Sequence, residues 1–202
     1  SRGIIENFGL VGGSVNGGPT VGALTGGNSG TVTNVYESAT VNAGGDASIV
    51  GGLVGINFTG GTITQSYAIG PVTAGNASSA GGLVGENFST ISQSYAMGAV
   101  AGGDNALAGG LVGVNFSTVS DSHATGAVTV GDLGSAGGLV GATGPLTVDG
   151  NTVANSITNS YASGAVIAGE FSTAGGLVGY NLNAVITQSN ASGAVTVGAN
   201  SI

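Results

Sequence analysis

A five-residue segment recurs along this chain of 202 residues, and its spacing constrains the fold more than any other feature. Gly-Gly-Leu-Val-Gly begins at residues 51, 81, 109, 137 and 175, and a weaker copy, Gly-Ala-Leu-Thr-Gly, begins at residue 22. The successive spacings are 29, 30, 28, 28 and 38 residues. A period of this length is typical of a solenoid, in which each repeat stacks on the next. The long last interval predicts an insertion within residues 142–155.

The second half of each repeat follows the pattern Ile-X-X-Ser-Tyr-Ala-X-Gly-X-Val, which first occurs in full over residues 63–72. Its residues are β-branched, small or glycine, and no apolar stripe with a 3.6-residue period runs through them. We therefore predict one all-β domain over residues 1–202, a parallel β-solenoid of about six to seven coils. Each coil would hold about 28–30 residues in three short strands, and we expect right-handed coils, as for parallel crossovers generally.

Positions that stay constant between repeats predict the inward side chains of the first strand. Leu53, Gly55 and Asn57 barely change from repeat to repeat, so we expect them to point inward. The position between Gly55 and Asn57 changes freely from repeat to repeat, so we expect its side chain to point outward. Its occupants are Gly27, Ile56, Glu86, Val114, Ala142 and Tyr180.

The second half of the repeat keeps small residues at alternate positions. Ser66, Ala68 and Gly70 retain their type in the later copies, which predicts a narrow core. Ile63 is also nearly constant but lies on the opposite alternation, so we expect a corner near Gln65.

The composition excludes several classes of function. The net charge is −8 and the one basic residue is Arg2, so the chain cannot neutralise a nucleic-acid backbone. No apolar run approaches the length of about 18 residues that a membrane-spanning helix needs. The chain has one His, no Cys and no Lys, which leaves few groups for nucleophilic catalysis. We therefore expect a protein that is not an enzyme, carries no resident cofactor and does not insert into membranes.

Stacked coils turn each repeated position into a column of side chains. Asn side chains about 4.8 Å apart can pass amide hydrogen bonds from coil to coil, so we predict a structural ladder. Its members are Asn28, Asn57, Asn87, Asn115 and Asn181, with Thr143 as the exception.

A second column is acidic and lies five residues before each Gly-Gly. Carboxylates at this spacing could bind Ca²⁺ or loosely held counterions, although the glycine-rich Ca²⁺-binding nonapeptide is absent. The alternative is a set of turn residues that face solvent. The column comprises Asp46, Asn76, Asp104, Asp132 and Glu170.

Two further columns could recognise a ligand. A Thr-X-Thr array begins with Thr31 and Thr33 and continues at 62–64, 90–92 and 118–120, and less well at 156–158 and 185–187. Such an array resembles the flat face of β-solenoid ice-binding proteins, although exposed strand hydroxyls are also common. The second column is aromatic and could contact glycans or only shield the sheet. It comprises Tyr36, Tyr67, Tyr95, His123 and Tyr161.

Gly-Gly-Leu-Val-Gly-X-Asn followed by Ile-X-X-Ser-Tyr-Ala-X-Gly-X-Val resembles the GLUG repeat of large bacterial surface proteins. These include filamentous-haemagglutinin-like adhesins and non-catalytic regions of immunoglobulin A-cleaving metallopeptidases. The resemblance extends from Ile4 to Ile202 and implies a secreted or cell-surface solenoid without catalytic activity. The peptidase motif His-Glu-X-X-His does not occur.

The resemblance and the repeat together predict a structural rod of a bacterial extracellular adhesin or fibre. The repeat is cut mid-coil at both ends without polar caps, so we expect a flanking solenoid or end-to-end docking of copies. A host or matrix surface is the other expected partner. We expect the insertion to make any specific contact, with Pro145, Asp149 and Asn151 as candidates.

Overall fold

The computed structural model describes residues 3–148 and 151–202, and every regular element in them is a β-strand. The described residues contain no helix long and apolar enough to cross a membrane. Six coils follow a partial N-terminal coil, and successive Gly-Gly-Leu-Val-Gly segments lie one above the other. The prediction of an all-β parallel solenoid is therefore confirmed.

The partial coil and the first three full coils contain strands β1 to β16. The partial coil holds β1 (Ile4–Leu10) and β2 (Ser14–Gly17), and the first full coil holds β3 (Thr20–Gly22), β4 (Thr25–Asn28), β5 (Thr31–Glu37) and β6 (Thr40–Ala43). The second holds β7 (Ile49–Gly51), β8 (Val54–Asn57), β9 (Thr62–Thr64), β10 (Tyr67–Ala68) and β11 (Val72–Thr73). The third holds β12 (Ser79–Gly81), β13 (Val84–Asn87), β14 (Thr90–Ser92), β15 (Tyr95–Ala96) and β16 (Val100–Ala101).

The last three coils repeat the same order, with a two-stranded hairpin inserted in the fifth. The fourth holds β17 (Leu107–Gly109), β18 (Val112–Asn115), β19 (Thr118–Ser120), β20 (His123–Ala124) and β21 (Val128–Val130). The fifth holds β22 (Ser135–Gly137), β23 (Val140–Thr143), β24 (Leu146–Val148), β25 (Asn151–Val153), β26 (Asn155–Thr158), β27 (Tyr161–Ala162) and β28 (Val166–Ala168). The sixth holds β29 (Thr173–Gly175), β30 (Val178–Tyr180), β31 (Ala184–Thr187), β32 (Asn190–Ala191) and β33 (Val195–Val197).

A regular coil has five short strands, so the prediction of three was wrong. The Gly-Gly-Leu segment bends the chain between β12 and β13, and a left-handed residue divides β14 from β15. Equivalent strands of successive coils pair in parallel, and only the inserted hairpin β24–β25 is antiparallel among the described pairs. The strand β5 is long enough to span the corner, so it pairs with both β9 and β10.

The corner predicted near Gln65 is confirmed. Gln65 has φ 50°, and its equivalents in the other coils also have left-handed backbone. This conformation is uncommon for residues other than glycine, although Asn and Asp tolerate it best. The members of this column are Asn7, Asn34, Gln65, Gln93, Asp121, Asn159 and Gln188.

Two apolar clusters lie side by side along the solenoid. One contains the Leu53 and Ile63 columns, and the other contains the Val50 and Val72 columns. Between them the glycine of each Gly-Leu pair approaches the alanine that follows the aromatic column. A Cβ on Gly110 would collide with the Gly138 carbonyl and the Ala124 side chain, which explains why glycine recurs there. Ser66, Ala68 and Gly70 are buried, so the narrow core predicted from small residues is confirmed.

The first-strand alternation is confirmed only in part. Leu53 and Asn57 are fully buried, as expected of inward positions. Val114 and Ala142, expected to point outward, are each only 6% exposed although they belong to neither core cluster. The chain bends sharply at the Gly-Gly-Leu segment, so the strand before the bend lies over the position that Val114 and Ala142 occupy. Ser79 illustrates the contact, since its hydroxyl donates to Glu86 Oε1 at 3.0 Å.

A second column of residues with left-handed backbone contains two bulky exposed side chains, Leu133 and Phe171. Leu133 has φ 60° and is 58% exposed, whereas Asn105 occupies the same corner in the preceding coil. Asn tolerates left-handed backbone better than Leu, so Leu133→Asn is expected to raise the free energy of unfolding by about 0.5 kcal/mol. Chemical denaturation measures the change. Leu133→Ala is the control, and an Asn variant no more stable than the Ala variant would contradict the argument.

Candidate functional site

The predicted asparagine ladder forms through four consecutive coils. Each Nδ2 donates to the Oδ1 of the next member, at 2.9 Å from Asn28 to Asn57, 2.8 Å to Asn87 and 2.8 Å to Asn115. All four residues are buried, so each amide replaces water with a partner in the neighbouring coil. Three of these amides also donate to the carbonyl two residues ahead, as Asn87 does to the Ser89 carbonyl at 2.7 Å.

The ladder departs from the sequence prediction at its C-terminal end. Asn115 donates to Asn155 Oδ1 at 2.7 Å, and Asn155 donates in turn to the Asn115 and Gly144 carbonyls. Asn181 is exposed and accepts instead from the Thr143 hydroxyl at 2.8 Å. Sequence reasoning missed Asn155. Its signal was an amide residue directly before the Ser-Ile-Thr segment, where the other coils have Gly, Ser or Ala.

The acidic column has a structural function in the described chain. The Oδ1 of each of the first four members accepts the backbone N–H of the next, as in the bond of 2.9 Å from Asp132 N to Asp104 Oδ1. These side chains therefore bind the turn of the neighbouring coil, which is the role of a turn residue. No group of three or more His, Cys, Asp or Glu side chains within residues 3–148 and 151–202 is placed to share a metal ion. The structure thus adds no support for a Ca²⁺ site at Asp46, Asp104, Asp132 and Glu170.

The aromatic column is a continuous stack of nearly parallel rings. Ring centroids are 5.3 Å apart for Tyr36 and Tyr67, 4.7 Å for Tyr67 and Tyr95, 4.9 Å for Tyr95 and His123, and 4.6 Å for His123 and Tyr161. Each inner ring is covered on both faces, so a sugar could approach only its edge. Burial lowers the pKa of His123, which favours the neutral ring in the stack.

The Thr-X-Thr array forms one face of the solenoid, with its middle residues buried. The middle residue is 0% exposed in five coils, at Val32, Ile63, Ile91, Val119 and Ile157. The hydroxyl residues on either side of it are half-buried in these five coils, and Thr187 in the last coil is exposed. All strands of the array pair in register from β5 to β31. This face thus presents two straight columns of small hydroxyl side chains to solvent.

The insertion forms a hairpin that leaves the coil after β23 and returns at β26. Leu146 pairs with Val153 and Thr147 with Thr152, both antiparallel. Pro145 is exposed at the start of the hairpin, and Asn151 begins its second strand. Asp149 lies outside the described residues. The hairpin ends directly before β26, which still pairs with β19 in register.

Sequence reasoning missed a buried carboxyl group in the first full coil. Glu37 is 0% exposed and occupies the column that holds Ala68 in the next coil. The Ala39 backbone N–H donates to its Oε2 at 2.7 Å, whereas Oε1 has no partner within the described residues. Burial raises the pKa of Glu37 from 4.5 to about 7, and the hydrogen bond from the Ala39 backbone opposes the rise. The available signal was a single Glu in a column of alanines.

Comparison with known proteins identifies the repeat. The GLUG motif matches residues 46–73, 104–130 and 172–197, which are corresponding parts of three coils. No curated protein and no solved structure matches the chain. The chain is therefore a β-solenoid that carries GLUG-motif repeats, as expected of a structural or surface repeat protein.

Proposed function

We propose that this chain forms a stiff, non-enzymatic rod of a bacterial extracellular adhesin or surface fibre. The carrying observation is the uninterrupted parallel register between coils, which the buried amides of Asn28, Asn57, Asn87 and Asn115 reinforce. In such an array each coil is held by its neighbours, so the structure suits a spacer that projects binding elements. The GLUG matches support the surface assignment at the level of the repeat.

The proposed rod has few sites at which trypsin-like proteases or reactive ligands could act. The chain has no Lys, and its one Arg is Arg2, so trypsin-like enzymes find no cleavage site in the solenoid body. One His and no Cys leave little nucleophilic chemistry, which supports a non-enzymatic role. Two kinds of partner fit this role. One is a host or matrix surface, and the other is a flanking coil or another copy of the chain.

End-to-end assembly is the finer part of the proposal. The strands of the last coil, among them β33, carry exposed apolar residues such as Val195 and Val197. Parallel pairing with another coil would bury these residues in the register that the inner coils use. Such a contact is heterologous and does not close, so it would generate filaments.

Negative-stain electron microscopy of the purified chain without cross-linker tests the proposal. Six stacked coils are expected to appear as straight rods roughly 30 Å long, since strands lie about 4.8 Å apart. Unbranched filaments would support end-to-end assembly, whereas short rods at every concentration would contradict it. Val197→Pro should abolish filaments because proline cannot donate to a strand ladder, and Val197→Ala is the matched control. Irregular or flexible particles would contradict the rod itself.

A further inference from the structure

We propose that the Thr-X-Thr array binds the surface of ice, a function separate from the proposed rod. The array, which we call the Thr face, consists of two parallel columns. They are Thr31, Thr62, Thr90, Thr118, Ser156 and Val185, and Thr33, Thr64, Ser92, Ser120, Thr158 and Thr187.

The side chains of the Thr face are regularly spaced. Its strands pair residue for residue, so within each column the side chains recur at the strand separation of about 4.8 Å. The two columns are separated by two residues of extended strand, roughly 6.7 Å. The result is a two-dimensional lattice of hydroxyl and methyl groups. A crystal of water is a periodic ligand, and only a periodic surface can match it at many points at once.

Buried residues and the asparagine ladder hold this lattice rigidly. The residue between the two columns is buried completely in five successive coils, where it packs in the apolar cluster of Leu53 and Ile63. The asparagine ladder lies beside this strand and bonds its backbone, since Asn87 Nδ2 approaches the Thr118 carbonyl at 3.4 Å. Preorganised side chains lose little conformational entropy on binding, which favours contact with a rigid ligand.

The hydroxyl groups of the Thr face differ in their hydrogen bonds. Some bond across coils, such as Thr62 to Thr31 at 3.3 Å and Ser92 to Thr64 at 3.2 Å, which fixes their orientation. The hydroxyls of Thr33, Thr90 and Ser120 have no protein partner within the described chain and are free to bond water. Bonded pairs of hydroxyl groups and single free hydroxyl groups therefore both occur on the face, and both can anchor ordered water.

The composition of the Thr face favours ice over other ligands. Neither column contains a charged or aromatic residue. Protein interfaces depend on aromatic and Arg anchors, and neither occurs in these columns. The stacked tyrosines, which are the aromatic groups closest to a glycan platform, lie beyond the left-handed corner with their ring faces covered. An uncharged and periodic hydroxyl surface fits crystalline water best.

Thermal hysteresis and partition into a growing ice front test this inference on the purified chain. The parent chain is expected to shape ice crystals, separate the melting and freezing points, and enrich in the ice fraction. Thr90→Tyr places a bulky ring in the middle of the Thr face and is expected to abolish both signals. Thr129→Tyr is the matched control, because Thr129 is an exposed strand residue of β21, outside the Thr face, and should leave both signals intact.

Two further measurements keep the inference falsifiable. Circular dichroism shows whether Thr90→Tyr folds. If it does not, Ser120→Tyr in the second column takes its place and should abolish the same signals. A folded parent chain that shows no thermal hysteresis and stays in the liquid would overturn the inference. Equal loss in Thr90→Tyr and Thr129→Tyr would also overturn it. Binding to insoluble polysaccharide in place of ice would assign the face to a glycan and not to ice.

Discussion

Asn87→Ala is expected to lower the free energy of unfolding by about 3 kcal/mol, because it breaks the asparagine ladder in the middle of the solenoid. Asn87 Oδ1 accepts from Asn57 at 2.8 Å, and its Nδ2 donates to Asn115 at 2.8 Å and to the Ser89 carbonyl at 2.7 Å. Truncation leaves a buried donor on Asn57 and a buried acceptor on Asn115 without these partners. Each unsatisfied buried group costs about 1–3 kcal/mol, and the lost side chain leaves a small cavity.

Asn181→Ala is the matched control for this prediction. Asn181 occupies the equivalent position in the last coil but is exposed, so water can replace its lost contacts. We expect a cost of about 1 kcal/mol or less, measured by chemical denaturation under the same conditions. Equal costs for Asn87→Ala and Asn181→Ala would show that the ladder does not stabilise the solenoid.

A double-mutant cycle separates the ladder from simple packing. Asn57 and Asn87 are in direct contact, so their truncations should couple by about 1 kcal/mol or more. Asn28 and Asn115 do not touch, and their truncations should be additive within about 0.5 kcal/mol. Purely additive behaviour in both pairs would contradict a cooperative chain of amides.

Comparison among the repeats made the main features of the fold predictable. The constant Ile63 on the opposite alternation from Ser66 located the corner that Gln65 forms with φ 50°. The inward positions of Leu53 and Asn57 followed from their constancy for the same reason. Each repeat is an independent solution to the same packing problem, so a position that never varies is under the same constraint in every coil.

The features that escaped prediction depend on local geometry that residue types do not reveal. Five strands replace three because the chain bends at the Gly-Gly-Leu segment, as between β12 and β13, in addition to the corner at Gln65. Val114 is buried because the bend before it folds the neighbouring face over an otherwise outward position. Asn155 enters the ladder only because the hairpin returns the chain beside Asn115. Such contacts arise when coils are stacked and cannot be read from one repeat.

Glu37→Gln is expected to remove a strong pH dependence of stability. Burial raises the pKa of Glu37 in the folded chain from 4.5 to about 7, so the folded state holds this proton more tightly than the unfolded state. The resulting stabilisation is fully present below about pH 4.5 and is lost as the pH rises through about 7. A difference of this size corresponds to about 3 kcal/mol. Gln keeps an acceptor for the Ala39 N–H but cannot ionise.

Denaturation of parent and variant between pH 4 and pH 9 measures the effect. The two chains should differ least at low pH, where Glu37 is neutral, and the Gln variant should gain about 3 kcal/mol relative to the parent by pH 8. Comparison with the parent cancels the other carboxyl groups, including Glu86, whose pKa burial also raises. Glu6→Gln changes an exposed carboxyl on β1 and should leave the profile within about 0.5 kcal/mol of the parent. Parallel profiles for the parent and Glu37→Gln would contradict the argument.

The position of Glu37 also determines where the solenoid should open first. In a stacked array each coil is stabilised by its nearest neighbours, so a buried charge in β5 weakens the adjacent coils more than distant ones. At pH 8, amide hydrogen exchange corrected for its intrinsic pH dependence should therefore show lower protection around Val35 and Ala68 than around Ala124. In Glu37→Gln this gradient should disappear. A uniform loss of protection along all six coils would instead mean that the array unfolds as one cooperative unit, and the charge would then act on the whole rod.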